Sequence, residues 1–536
     1  MRRVDCCRLL LPVLLLAPGL APGLAHAQTA AGAAADVQQR EEIERQLQEL
    51  ARSRQELSAT QQNLQKQITD FDARIAALEA KLGVAAKDAP KDVQAKDAPA
   101  KDAVAQANGA LAPADQAAAR LPPETRGEGA GASVSGEPDP GTLQPGKGVI
   151  LVQGPVGGLA FGVNGYVRYL NQGGLNTAYK DSFGRTFPID KRQDFQLNRL
   201  QLNFRGWLFD EKFHYNFYAW TQNSSQGDPA QVVVGGNIRY EFADYFWLWG
   251  GIFSVPSTRT TAQSFPNWLR IDHRGMADEY FRGSYTEGLQ AMGKLPGRLF
   301  YNIAVTDNLS ILGVNAGQLP FGPNTVSTAI YWMPTTGEYG PGWGFGDYEY
   351  HKKVATLFGF HFTYSREDAE EQPGVNAFDN SQIRLSDGTL LFSPNAFNTG
   401  GQIRKATYNM FDIDTGVKSH GFSFDAEYYN RWLGDFQTVG PIPVTHLYDT
   451  GFQAYLSAMI KPRLFQAYLS GSKIYGGYGD PWDAAFGLTW FPFARKNVRW
   501  NVQMLYSDHS PVGYFAIPYQ VGGTGWIATV DVGTWF

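Results

Sequence analysis

The sequence predicts an all-β protein: an antiparallel transmembrane β-barrel of about sixteen strands over residues 147–536, preceded by an N-terminal α-helical coiled coil and a disordered linker. Three observations lead there. Beyond Lys147 side chains alternate with period two, as in Leu200, Leu202, Phe204 and Leu208 against Arg199, Gln201, Asn203, Arg205 and Trp207. The connections between such segments alternate between tight turns and long loops. The chain closes on WIATVDVGTWF, in which Ala528, Val530, Val532 and Phe536 share one face and Ile527, Thr529 and Asp531 the other.

Residues 1–27 read as a signal peptide. Arg2, Arg3 and Arg8 give a positive start, 9–16 an apolar core, and Ala25, His26 and Ala27 a small-residue cleavage site. Both cysteines, Cys6 and Cys7, lie inside it, so the mature chain holds no thiol for a disulfide, a metal or a nucleophile. No later run of about 18 apolar residues exists to cross a membrane as a helix, which leaves a closed barrel as the one spanning solution. A net charge of -5 gives no general attraction to nucleic acid. Aromatics at 14%, 59 glycines and only 18% charged residues suit many strands joined by tight turns.

Residues 28–82 read as the coiled-coil segment. Ile43, Leu50, Leu57, Leu64, Phe71 and Leu78 fill one heptad position; Leu47, Arg54, Gln61, Ile68, Ile75 and Leu82 fill the other, with Arg54 and Gln61 as polar register marks. Residues 83–146 read as an Ala/Pro/Gly-rich spacer opening on near-repeats of Lys-Asp-Ala-Pro, with nothing to bury.

In the barrel region the period-two segments fall near 161–170, 195–208, 212–222, 231–242, 245–254, 286–294, 298–306, 326–333, 353–364, 406–418, 421–433, 449–461, 464–474, 482–491, 497–507 and 524–536. Long loops are expected after the odd-numbered segments, such as 171–194, 255–285 (the third, after 245–254), 307–325, 365–405 and 508–523. Tight turns are expected at 209–211, 243–244, 295–297, 461–462 and 492–494. This is the asymmetry of an outer-membrane barrel, and 334–352 departs from it, being long where a turn belongs. Phe536 would end the closing strand on its lipid face at the rim, in the interfacial aromatic girdle. Bacterial outer-membrane proteins as a class resemble this ending, which there is read by the barrel-insertion machinery; Thr534 stands where the class more often has an aromatic.

The stretches GGIFSVP at 250–256, GFSFDAEYYNRW at 421–432, the pair FQAYLSAMIKPRL and FQAYLSGS within 452–472, and FGLTWFPFARKNVRWNVQMLYSD at 486–508 carry a resemblance to the phosphate-selective porin O and P family. It spans nearly all of 160–536 in order, and the leading coiled coil resembles the N-terminal region of some members. The resemblance implies homotrimers of sixteen-stranded barrels in the outer membrane, a third loop folded inward, and channel arginines and lysines that pass anions such as phosphate or polyphosphate. Ser254 stands where the family tends to place a lysine.

Matched to that pattern, the third long loop carries Arg259, Arg270, His273, Arg274 and Arg282 against Asp272, Asp278 and Glu279. On the polar faces of the strands, Arg168, Arg199, Arg205 and Arg239 could form a ladder along a water-filled path. The plainer reading is that lumen arginines pair with Asp and Glu across the barrel. Acidic residues are about as many as basic ones in this region, and Asp412, Asp414, Asp425 and Glu427 share the polar faces with Lys418 and Arg431. A general diffusion channel with little ion preference is therefore the first alternative, and a tether built on the stalk the second.

GLQAMGKL at 288–295 has the spacing of a phosphate-binding loop but lacks the hydroxyl residue and runs into Pro296. The histidines, among them His351, His361 and His420, show no metal-ligand spacing, and no nucleophile elbow or paired acid motif occurs. The expectation is a channel rather than an enzyme, without cofactor or metal. Its partners would be outer-membrane lipid, permeant anions and two further copies of itself, with the coiled coil in the periplasm.

Overall fold

The computed structural model describes residues 140–144, 148–223, 231–264, 266–271, 273–312, 314, 318, 322–374, 381–514 and 516–536. The signal peptide, the coiled coil, most of the spacer and Asp272 lie outside the described residues. Sixteen antiparallel strands form a closed barrel. In order they are β1 (Gly157–Leu175), β2 (Gln193–Leu208), β3 (Asp210–Asn223), β4 (Gln231–Ala243), β5 (Phe246–Ser254), β6 (Tyr285–Leu295), β7 (Leu299–Thr306) and β8 (Thr325–Trp332). The second half comprises β9 (Ala355–Asp368), β10 (Gln402–Ser419), β11 (Phe422–Val439), β12 (Leu447–Lys461), β13 (Phe465–Tyr475), β14 (Trp482–Trp490), β15 (Val498–Asp508) and β16 (Gly525–Trp535). Each strand pairs with its neighbours in the chain, and β16 closes the ring on β1 through Asp531 opposite Arg168 and Trp535 opposite Asn164.

All sixteen period-two segments are strands, including GLQAMGKL, which lies within β6. The turns are tight at one end of the barrel. Ser419 and Phe422, for instance, flank a two-residue hairpin in which His420 and Gly421 both have positive φ, the twist-compatible solution. Ahead of the barrel, Gly148–Gly154 pairs with the start of β1 (Val149 opposite Phe161), in line with the end of β16. Leu143–Gln144, assigned to the spacer from sequence, pairs in turn with that strand.

Burial is inverted relative to a water-soluble sandwich. In β9, Phe358, Phe360 and Phe362 point outward and are exposed, while His361, Thr363 and Ser365 point inward and are buried. The same holds for Trp432, Phe452, Leu456, Phe486, Leu488 and Val502 outside, and for Asp412, Asp425, Gln453, Asp483 and Gln503 inside. A sheet with aliphatic and aromatic residues outward and carboxylates inward is stable where hydrocarbon lies outside.

Two segments occupy the lumen. From the long-loop end, 255–284 folds in and carries one turn of π-helix at Thr260–Ser264 and a short α-helix, α1 (Met276–Phe281). From the tight-turn end, 333–354, the exception to the turn pattern, also folds in; Trp343 packs on Tyr331 and Phe300, inward residues of β8 and β7. Over the long-loop end, Ile189, Leu385, Phe392, Phe397, Val512 and Tyr519 join Met276 and Phe281 in one apolar cluster.

Candidate functional site

The interior is divided between a wall closed by the two inward segments and a wall that keeps access to solvent. Loop 255–284 lies against β9–β15. Arg259 leads it in: Nη2 donates to Asp425 Oδ1 at 2.8 Å, Nε to the Trp343 carbonyl at 2.9 Å, and Nη1 stands 3.7 Å from Asp414. Its backbone N–H donates to Glu427 Oε1 at 2.8 Å, and its guanidinium covers the rings of Phe345 and Tyr339. Arg270 donates to Ser470 Oγ at 2.5 Å and to Tyr519 at 2.9 Å, and lies 3.4 Å from Asp483. Arg274 donates to Thr260 Oγ1 at 3.0 Å and to Glu279 at 3.3 Å, and stacks on Trp268.

Wall residues hold the same loop from the other side. Arg499 of β15 donates to the carbonyls of Trp268 (2.7 Å) and Pro266 (2.9 Å). Arg431 of β11 donates to Asp449 Oδ2 at 2.7 Å and to the hydroxyl of Tyr280 at 2.5 Å. His361 of β9 pairs with Asp414 at 3.1 Å and with the Pro256 carbonyl at 3.0 Å. Burying so many charges is tolerable because each guanidinium meets a carboxylate or several carbonyls. Arg259, Arg270 and Arg274 are thus latches in a buried network, and none faces open solvent.

The opposite wall, β1–β5, differs. Arg199 and Arg205 of β2 are half-buried, on the same inward face as Asn203. Arg199 lies over the ring of Trp220, 4.3 Å from its centroid, and opposite Tyr166. Arg205 stands opposite Asn216, and the next pair along, His214 and Arg239, continues the row. Arg239 Nη2 is 2.8 Å from Glu241, whose side chain keeps 21% exposure, and its guanidinium faces Trp249. Arg199 and Arg205 are therefore partly accessible on this face, whereas Arg239, further along the same row, is buried and paired with Glu241. Arg168 does not join them; it is buried near the long-loop end, where Nε donates to Gln196 at 2.9 Å and Nη1 to the Ala516 carbonyl at 3.1 Å.

The sequence reading had no role for 333–354 beyond its length. The signal was present in GEYGPGWGFGDYEYH, where glycines alternate with aromatics. Gly340 takes φ 84°, and a Cβ on Gly344 would come within 2.4 Å of Asn267, so the chain can pass close to loop 255–284 only without side chains there. His351 closes this segment. Its Nδ1 bonds Asp347, its Nε2 lies 3.2 Å from Glu338, and its backbone N–H also donates to Asp347. Burial would depress the imidazole pKa, but the hydrogen bonds and charges of Asp347 and Glu338 outweigh it and raise the value to about 9. The bond to His351 holds Glu338 below its ordinary range. Burial raises Asp347, yet His351 and the Gly421 amide bring it below its ordinary range as well.

No known sequence family matches the chain, and no curated protein does. Solved structures do resemble it. The outer-membrane-expressed OmpT of Vibrio cholerae aligns at 9% identity and a TM-score of 0.45, covering 72% of this chain and 99% of that one. An anion-selective porin from Comamonas acidovorans aligns at 10% identity and 0.44, covering 71% and 100%. The outer membrane channel DcaP of Acinetobacter baumannii aligns at 9% identity and 0.41, covering 71% and 98%.

Proposed function

We propose that this protein is a passive channel of a bacterial outer membrane, admitting small hydrophilic solutes with a preference for anions, phosphate among them. One observation carries the reading: an inverted barrel whose interior face presents the half-buried Arg199 and Arg205 on β2, with the buried Arg239 of β4 continuing their row. A permeant anion needs fixed cations strong enough to replace part of its hydration and weak enough to release it, and half-buried guanidiniums beside neutral Asn203, Asn216 and Asn237 answer that need. On the other wall Asp425, Asp483 and Asp449 are already engaged with Arg259, Arg270 and Arg431. The long loops face outward and the tight turns the periplasm, where the chain leading into β1 also arrives. Assembly as a homotrimer, and insertion through the strand ending in Phe536, belong to the same proposal.

The test is the reversal potential of single channels in a planar bilayer under a potassium chloride gradient, with phosphate then added to one side. Anion preference with phosphate block is expected, and the triple variant R199Q/R205Q/R239Q should bring the potential to zero or to the cation side. A wild-type potential already at zero would leave a general diffusion channel, the reading favoured by the near-equal numbers of acidic and basic residues.

A further inference from the structure

We infer that the inward loop 338–351 sets the width of the channel at its tight-turn end, and that His351 is the residue positioning it there. The inference rests on the channel reading. The other connections at this end run from one to seven residues, and the β8–β9 ladder closes from Thr325 opposite Ser365 to Trp332 opposite Phe358 without help from the loop. The barrel therefore does not need these residues to pair its strands. They are spent inside it.

The loop makes its own mooring points across half the circumference. Lys418 of β10 donates from Nζ to the carbonyls of Tyr339 (2.8 Å) and Gly344 (2.7 Å). The Tyr339 hydroxyl donates to Asp425 of β11 at 2.8 Å, Phe345 packs on Tyr455 of β12 and on Leu269, and Trp343 on β7 and β8. At the tip it meets loop 255–284, through Arg259 on the Trp343 carbonyl and the Phe345 N–H on the Asn267 carbonyl at 3.2 Å. Two segments entering from opposite ends thus abut in the middle, and bulky rings occupy lumen cross-section that water would otherwise fill.

The base of the loop is held by His351, which joins Glu338 at one end to Asp347 near the other; the Gly421 N–H, on the β10–β11 turn, donates to the same Asp347 at 2.8 Å. The groups facing this clasp are Lys418 from β10, the Glu349–Lys496 pair at 3.1 Å, which brings in the β14–β15 turn, and His420, whose backbone N–H donates to the His351 carbonyl. The charged imidazole favours the clasp, so this contribution is complete below the ordinary histidine value and is lost as pH rises through about 9. On the acid side it is lost as Asp347 and Glu338 take up protons, below the usual carboxylate range.

The experiment compares single-channel conductance and exclusion of neutral polymers for the wild type, for His351→Ala, and for a variant with residues 340–346 replaced by two glycines. The shortened loop should raise conductance at least about twofold and admit larger polymers. His351→Ala should do so in part at neutral pH. The wild type should widen as pH passes about 9, whereas His351→Gln, which keeps neutral hydrogen bonds, and the shortened variant should not respond there. If the shortened chain fails to form a barrel, Trp343→Ala and His351→Ala are judged by the same criteria. Unchanged conductance and polymer cut-off in channels that still prefer anions would overturn the inference and leave the channel reading standing. Absence of channels from wild type and variants alike would overturn both.

Discussion

Arg259→Met tests whether the two inward segments are locked together. The methionine keeps most of the stem's volume but removes the donor to Asp425, the donor to the Trp343 carbonyl and the charge beside Asp414. Removing one partner of a buried pair costs about 3–5 kcal/mol. Asp425 Oδ1 still accepts from Tyr339 at 2.8 Å, which places the loss near the lower bound, about 3 kcal/mol for local opening. At 1.4 kcal/mol per factor of ten, that is an open population about a hundredfold larger. Native-state hydrogen exchange reads it directly. The amides of Ala262, bonded to the Thr258 carbonyl at 2.9 Å, and of Phe345 should exchange about a hundredfold faster, while ladder amides such as that of Val502 keep their protection. Arg259→Met/Asp425→Asn should recover at least about 1 kcal/mol of the loss, because the orphaned charge is then gone. Exchange unchanged within a factor of three, or strict additivity of the two substitutions, would refute the latch.

Two further outcomes are expected. Phe360→Arg places a guanidinium on the outward face of β9, where Phe360 is exposed between Ile330 and Ile413, and should cost about 2–4 kcal/mol in folding titrations into lipid vesicles. Gly416→Ala puts a methyl 2.1 Å from the Tyr339 hydroxyl and 2.7 Å from Asp425 Oδ1, so Tyr339 must leave its acceptor; amides of the 338–351 loop should exchange about 5- to 150-fold faster, a loss of about 1–3 kcal/mol.

The strands were legible in the sequence because a barrel in lipid repeats one simple rule: Phe358, Phe360 and Phe362 outward, His361, Thr363 and Ser365 inward. Strand boundaries moved by a few residues, as ladder ends are set by loop packing that local pattern does not carry. The candidate arginines were legible as residues but not as roles. Arg259 and Arg205 look alike in sequence; one meets Asp425, a partner 166 residues away, and the other stays half in water. Such long-range pairing depends on how two loops of opposite origin share the lumen. For 333–354 the excess length and the glycine–aromatic alternation were visible, but the direction of folding was not, since the same rings could have packed on a partner outside.

The strand Gly148–Gly154 bears on how the cylinder comes to be closed. β1 can find its last partner only when the whole chain is present: the amide of Thr524 bonds the side chain of Asn176, residues 348 apart. Bringing such ends together costs about 5 kcal/mol in chain entropy alone, and long-range pairing of this kind is slow. Until then the free margin of β1 is an open template for aggregation. Gly148–Gly154 reaches that margin through a hairpin of a few residues and covers it from Gly157 to Phe161, the stretch β16 never occupies. The nascent sheet therefore starts with a selvedge already sewn at one end, and the C-terminal strand has a defined stop, at Val163, against which to seat.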